Sequence, residues 1–168
     1  MTDIVIKLNR EQHMLVFQRG LERQWAHRDD NGVRVGTVHK FETFQNDFLA
    51  DVAGAAAECA VAEYYGTRWN SETWNLSEHK HHTVAPDVEP HFEVRRVIQR
   101  SGELTIRWSD LDYKIAILTF VEYPENRSVH IYGGMSVKEA RERYQADEKG
   151  NVYVPKEDLY HPDTFVVG

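Results

Sequence analysis

Two carboxylates and one guanidinium lie close together near the middle of this chain. Asp87 follows Pro86, and Glu93 and Arg95 come shortly afterwards, beyond Pro90. Prolines favour an extended backbone before them and interrupt strands, so the segment is predicted to form a short strand, a turn and a second strand. Side chains alternate along a strand, which places Glu93 and Arg95 on one face, while Val94 anchors the other. Carboxylates bind Mg²⁺ and guanidinium binds phosphate, so Asp87, Glu93 and Arg95 are predicted to converge on a magnesium and phosphate site.

A third carboxylate, Glu58, lies in an unusual setting upstream. It is the only charged residue between Asp51 and Glu63, within a segment rich in alanine at 53–62. A helix that is apolar nearly all round is typically central, so we expect Glu58 to be at least partly buried. A buried carboxylate needs a partner, and a metal ion is one that serves. The alternatives are an arginine partner for Glu58 and a surface salt bridge for the Asp87, Glu93 and Arg95 group.

The patterns along the chain predict three helices and several strands around one core. Asn9 and Gln12 form a capping-box pattern before a helix that ends near residue 27, with an apolar stripe that includes Met14 and Trp25. A second helix is predicted at 46–65 with Gly66 as its stop, and Ser136 caps a third of about ten residues. Strands are predicted at 3–8, 84–88, 92–98, 104–108, 115–121 and 128–132.

Three short glycine and polar segments are assigned to connections. Ser101 and Gly102 fit a hairpin turn, and Ser109 and Asp110 begin a further connection. The pair at 133–134 is predicted to be only a turn, since no phosphate-binding loop pattern surrounds it. The elements together predict an α/β (α+β) fold with a mixed central β-sheet flanked by helices.

Composition indicates an ordinary globular protein. The 168 residues are 41% hydrophobic and 28% charged, and are predicted to form a single domain, 1–168. No run approaches the roughly 20 apolar residues of a membrane helix, and the start lacks a secretory pattern. One cysteine, Cys59, cannot form an internal disulfide, so a cytoplasmic location is expected. The net charge of −7 is unfavourable for binding bare DNA, although arginines cluster at 95, 96, 100 and 107.

The acidic and basic residues resemble a known arrangement. Pro86-Asp87 followed by Glu93-Val94-Arg95, with Glu58 on a preceding helix, resembles the PD-(D/E)xK nuclease superfamily. Segments 54–62, 129–140 and 153–159 look like its small phage-encoded members. The resemblance implies a restriction-endonuclease-like core and Mg²⁺- or Mn²⁺-dependent cleavage of DNA. It also implies that the metal is bound by Asp87, Glu93 and the carbonyl of Val94, with Glu58 binding directly or through water, and that the metal activates water and polarises the phosphate.

Arg95 departs from the commonest pattern of that superfamily, which has lysine there. Arginine stays protonated and cannot act as a base, although it can clamp the scissile phosphate. The base would then be solvent or a metal-activated water, or Lys114 would supply a displaced amine; the alternative for Lys114 is a surface lysine at a strand start.

A further alternative is a catalytically weak or inactive member of the fold. Such a protein would bind nucleic acid or a protein partner, for example in the host cytoplasm during phage infection, and the oligomeric state is left open.

Other reactive side chains are given structural interpretations. Histidines at 79, 81, 82 and 91 are dense but match no zinc-binding spacing, which favours a solvated loop. Cys59 lies among alanines and lacks the electropositive setting of a catalytic thiol. Glu89 either replaces Asp87 or lies in the turn, and the turn is favoured.

Overall fold

The computed structural model describes residues 3–26, 28, 44–71, 85–122 and 126–165. This part of the chain contains three α-helices, six β-strands and two short 3₁₀ turns near its end. The helices are α1 (Arg10–Ala26), α2 (Phe44–Tyr65) and α3 (Val137–Arg143). The strands are β1 (Ile4–Lys7), β2 (Phe92–Val97), β3 (Leu104–Ile106), β4 (Ile115–Glu122), β5 (Ser128–Ser136) and β6 (Val152–Val154).

Four of the strands form a mixed sheet, which confirms the predicted α/β class. Their order is β1-β5-β4-β2, and β2 runs parallel to β4 while the other neighbours are antiparallel. The strands β3 and β6 form a separate antiparallel pair. The strand that carries Glu93 and Arg95 therefore lies at one edge of the main sheet.

The helix termini follow the sequence signals. The side chains of Asn9 and Gln12 each accept a hydrogen bond from the other's backbone N–H, both at 2.9 Å, which completes the capping box. Gly66 follows α2 with φ +60°, as expected for a glycine stop. Ser136 accepts a hydrogen bond from the Glu139 N–H and caps α3, which is shorter than predicted.

The predicted apolar stripe of α1 is not the buried face. Met14 and Trp25 are exposed, and the buried residues are Val16, Gly20 and Gln24. The reason lies in close packing against α2, because a Cβ on Gly20 would come within 2.3 Å of Val52 Cγ2. The smallest residue of α1, rather than its largest, decides which side faces the core.

Two apolar clusters cover opposite faces of the main sheet. The first, here called the α2 face, joins Val61 of α2 to Phe92, Val94 and Ile117. The second, the β3–β6 face, joins Ala116 and Leu118 to the small sheet, including Leu104, Ile106, Val152 and Val154. Residues that alternate along β2 and β4 therefore enter different environments.

Two predicted strand features are wrong in the described part of the chain. The strand predicted at 84–88 is absent over 85–88, where Val88 makes only isolated bridges to Trp69 and Phe92. The Ser101-Gly102 turn forms, with the Gly102 N–H donating to the Gln99 carbonyl, but it does not join a hairpin. Its flanking strands belong to different sheets, because β2 pairs with β4 and β3 pairs with β6.

The glycine pair at 133–134 lies inside β5 and is not a turn. Gly134 exchanges two backbone hydrogen bonds of 3.0 Å with Tyr160. A Cβ on Gly133, which has φ +151°, would come within 2.4 Å of the Tyr160 carbonyl oxygen. Glycine is required here because the C-terminal segment docks directly on the strand backbone.

Among the helices of the described residues, none is long and apolar enough to cross a membrane.

Candidate functional site

The edge strand β2 presents Glu93 and Arg95 on the same face, as alternation predicts. In the parallel pairing with β4 they lie opposite Ala116 and Leu118, which belong to the β3–β6 face. Arg95 Nη1 lies 3.3 Å from Glu93 Oε2, and both side chains are largely covered. Val94 packs into the α2 face and anchors the strand. The pair is therefore not the surface salt bridge considered from the sequence.

Lys114 is buried beside Glu93, so the prediction of a surface lysine is wrong. It is 1% exposed, its ammonium pairs with Glu93 Oε1, and it also donates to the Ala85 carbonyl at 3.3 Å. The register explains the position. Ile115 pairs with Phe92, so Lys114 immediately before it falls on the side of Glu93. The structure thus places an amine next to the acid, where a displaced lysine would have to lie.

Asp87 lies just before the edge strand and remains open to solvent. Its Oδ2 accepts the Val94 N–H at 2.8 Å and is 3.9 Å from Arg95 Nη1. Its side chain is 24% exposed, against 11% for Glu93 and Glu58. Within the residues that the structure describes, Asp87 Oδ1 has no hydrogen-bond partner. Asp87 is thus the most accessible of the three predicted carboxylates.

A fourth acid, Asp110, belongs to the cluster and was missed by sequence reasoning, which saw only a connection there. Its Oδ1 accepts a hydrogen bond from Arg95 Nη2 at 2.6 Å, and its Oδ2 accepts the Arg107 N–H at 2.8 Å. Asp110 therefore joins the β3–β4 connection to the arginine of the edge strand. A Ser-Asp turn after a strand was the only sequence signal, and such turns are common.

Glu58 is held by an arginine, which was the alternative weighed from the sequence. Arg23 of α1 makes two hydrogen bonds to its carboxylate, at 2.9 and 2.5 Å, and Trp69 Nε1 donates a third at 2.9 Å. Helix α2, which carries Glu58, packs against one face of the main sheet. The side chain of Glu93 lies on the opposite face, the β3–β6 face. Asp87, at the sheet edge, is close enough for its charge to raise the pKa of both Glu58 and Glu93. Among the described residues, Glu58, Asp87 and Glu93 do not form a group arranged to hold one metal ion.

The buried charged groups shift each other's pKa values. Burial, and then the negative charge of Asp87, raises the pKa of Glu93, although Arg95 and Lys114 oppose the shift. Burial also raises the pKa of Glu58, against the effect of Arg23, and Asp87 adds to it. The charge of Asp87 thus acts against ionisation of both carboxylates, while Arg23, Arg95 and Lys114 favour it.

The candidate donors for a metal are the carboxylate oxygens of Asp87 and Glu93, and both Glu93 oxygens also contact protein cations. Over 3–26, 28, 44–71, 85–122 and 126–165, no group of three or more His, Cys, Asp or Glu side chains is arranged to hold a metal ion. Mg²⁺ commonly uses one or two carboxylates and keeps several waters, so the partly exposed Asp87 beside the buried Glu93 offers the type and number of protein ligands that it takes. Ligation by Glu58 and by the Val94 carbonyl stays a prediction.

Arg95 faces inward, towards acids. Burial would lower its pKa, but Asp110, Asp87 and Glu93 together raise it, and its side chain is 12% exposed. The guanidinium acts here as the counter-ion of the carboxylates. Its assignment as a phosphate clamp stays a prediction.

The remaining reactive residues give no competing site in the described residues. Burial, followed by the charges of Glu63 and Glu58, raises the pKa of Cys59 to about 11, so its thiol stays protonated at neutral pH. The ring of His91 lies 5.1 Å from that of Phe92, as expected for a turn residue packed on the strand. Glu89 is exposed in the turn. The histidines at 79, 81 and 82 lie outside the described residues.

Comparison of this chain with protein-family profiles, with curated proteins and with solved structures found no significant match.

Proposed function

We propose that this protein is a metal-dependent phosphodiesterase that cleaves DNA, built on a restriction-endonuclease-like core. The observation that carries the proposal is the contact between Lys114 and Glu93, next to Asp87 at the open end of an edge strand. In this chain Arg95 occupies the position where the superfamily most often has lysine, so that position carries no amine. In this proposal Lys114 supplies the amine from the neighbouring strand, which supports an acid, acid and lysine site with the lysine moved.

Each side chain has a distinct role in this proposal. Asp87 and Glu93 would hold Mg²⁺ or Mn²⁺ at the edge of the sheet. The bound metal would supply positive charge that polarises the phosphate and makes water more acidic. Lys114 fixes the Glu93 carboxylate and, as an amine, can orient water or donate a hydrogen bond to a phosphate oxygen. Arg95, held by Asp110, opposes the rise in the pKa of Glu93.

A second candidate function is binding without catalysis. The specific observation in its favour is that protein cations already neutralise Glu58 and Glu93. The net charge of −7 also argues against tight binding of bare nucleic acid. In this alternative the site is a structural ion-pair network, and the protein binds nucleic acid or a protein partner through another surface.

Cleavage assays distinguish the two candidates. The purified protein is incubated with single-stranded and duplex DNA and with RNA, in Mg²⁺, Mn²⁺ or EDTA, and each substrate is analysed by gel electrophoresis. We expect metal-dependent cleavage of DNA that is lost in Asp87→Ala. Glu89→Gln is the matched control, because it removes an exposed carboxylate two residues away from Asp87.

Two results would remove the proposal. Cleavage that persists in Asp87→Ala would show that the activity arises elsewhere. A folded protein that cleaves none of the substrates under any metal condition would favour the binding function.

A further inference from the structure

Trp108 is an exposed aromatic residue whose backbone is fixed. Its residue surface is 71% exposed. Its N–H donates to Asn151 Oδ1 at 3.2 Å, and its carbonyl accepts a hydrogen bond from Arg141 Nη2 at 3.0 Å. The turn is therefore held from two sides while the indole ring faces solvent. A large apolar ring presented this way costs little conformational entropy when it binds a flat partner.

The turn that carries Trp108 is bonded directly to the candidate site. Asp110 accepts the N–H of Arg107, the residue before Trp108, and its other oxygen binds Arg95. Arg141 also donates to the carbonyls of Arg107 and Asp110, at 3.1 and 2.8 Å. The ring and the site thus belong to one connected network.

Arg107 adds a cation at the same place, and its residue surface is exposed. The charge of Arg95, and then partial loss of hydration beside the protein, lowers the pKa of Arg107, while Asp110, Asp87 and Glu93 oppose the shift. The Arg107 guanidinium is thus within electrostatic reach of the cluster, and a guanidinium stays protonated at neutral pH. An accessible cation beside a flat ring complements a nucleotide, which offers a phosphate and a base face.

We propose that Trp108 stacks on an unpaired base of a DNA strand whose backbone passes Arg107 and the site. The proposal rests on the proposed function and names the substrate class, which is DNA with single-stranded character. A paired base has both faces covered by its neighbours, so only an unstacked base can meet the indole. An apolar peptide or a membrane fits less well, because Asp112 of the same connection pairs with Arg141 of α3 and makes the adjoining surface charged.

The test measures binding without cleavage. Dye-labelled single-stranded DNA, duplex DNA and an abasic single strand are titrated in EDTA, with fluorescence anisotropy as the readout. Trp108→Leu keeps apolar area but removes the stacking ring, and Trp108→Phe keeps a ring. We expect Trp108→Leu to weaken single-strand binding by roughly tenfold, and Trp108→Phe to weaken it much less. Binding of the duplex and of the abasic strand should be unchanged.

A matched control is Ile98→Ala, which removes an exposed apolar side chain that is 74% exposed and outside this turn. It should leave all three affinities unchanged, and thermal denaturation checks that every variant is folded. The proposal is overturned if Trp108→Leu binds single strands as well as the wild type, or if it loses duplex and abasic affinity equally. If the protein cleaves DNA but Trp108→Leu does not change binding, only this inference is removed. If Trp108→Leu weakens single-strand binding but the protein cleaves no DNA, only the catalytic proposal is removed.

Discussion

At the scale of single residues, the site is defined by how each buried charge is neutralised. Lys114 and Arg95 share the Glu93 carboxylate, and Arg95 also binds Asp110. Burial of an ion pair costs desolvation energy, so such pairs add little net stability, yet removing one partner is expensive. Glu58 and Glu93, whose carboxylates contact protein cations, are less exposed than Asp87, the most accessible of the three predicted ligands.

The buried pair gives a stability prediction. Lys114→Met should lower the free energy of unfolding by about 3 kcal/mol, because it leaves Glu93 buried with one cation fewer. The measurement is urea denaturation at neutral pH. In Lys114→Met/Glu93→Gln the loss should be smaller than the sum of the two single losses, since both charges are gone.

The control for this prediction is an exposed pair. Lys138 lies 4.0 Å from Glu142 on α3, with both side chains mostly in solvent. Lys138→Met should therefore cost less than about 1 kcal/mol. Equal losses at Lys114 and Lys138 would mean that the Glu93 pair is not desolvated as described.

At the scale of elements, close helix packing decides which residues reach the core. Helix α1 approaches α2 through Gly20, and this contact turns Arg23 towards Glu58 while Met14 and Trp25 face outward. On the other side of the sheet, the register between β2 and β4 decides which charged residues meet. A shift of one residue between β2 and β4 would move Lys114 away from Glu93.

Two glycine substitutions test the helix contact, with opposite signs. Gly20→Ala should destabilise the protein by about 2 kcal/mol, because its Cβ would overlap the backbone and side chain of Val52. Gly54→Ala should be neutral or stabilising by up to about 1 kcal/mol, since alanine is the better helix former. Its nearest neighbour would be Arg23 Nη1 at an ordinary 3.8 Å. Thermal or urea denaturation measures both, and a stable Gly20→Ala protein would contradict the packing.

At the scale of the whole molecule, charged groups on the two faces of the main sheet are coupled electrostatically at the sheet edge, through Asp87. The α2 face holds the Glu58 and Arg23 pair, the β3–β6 face holds Glu93, Arg95 and Lys114, and Asp87 lies between them. On an acidic protein this edge would be a place where a divalent cation relieves repulsion. Metal binding and stability should therefore be linked.

Metal binding is expected to raise the melting temperature. A ligand at one hundred times its Kd stabilises the folded state by about 2.7 kcal/mol, so saturating Mg²⁺ or Mn²⁺ should give a clear increase over EDTA. Asp87→Ala should abolish the increase, and Glu89→Gln should retain it. Differential scanning fluorimetry measures the shift, and an identical response in Asp87→Ala would exclude Asp87 as a ligand.

Local signals in the sequence determined where α1 and α3 begin, where α2 ends, and most of the strands. The Asn9 and Gln12 capping box, the Gly66 stop and the Ser136 cap depend on residues a few positions apart, and alternation along β2 put Glu93 beside Arg95. The burial of Glu58 also followed from its apolar helix. Each of these features is decided by near neighbours in the chain.

Only the tertiary structure decided which distant residues meet the three acids. Lys114 reaches Glu93 through the parallel register of two strands, and Arg23 reaches Glu58 through the Gly20 contact between helices. The same packing places Glu58 and Glu93 on opposite faces, so a strand, turn and helix pattern could not show whether they converge. Long-range pairing depends on the fit of whole elements, and short sequence patterns do not contain that information.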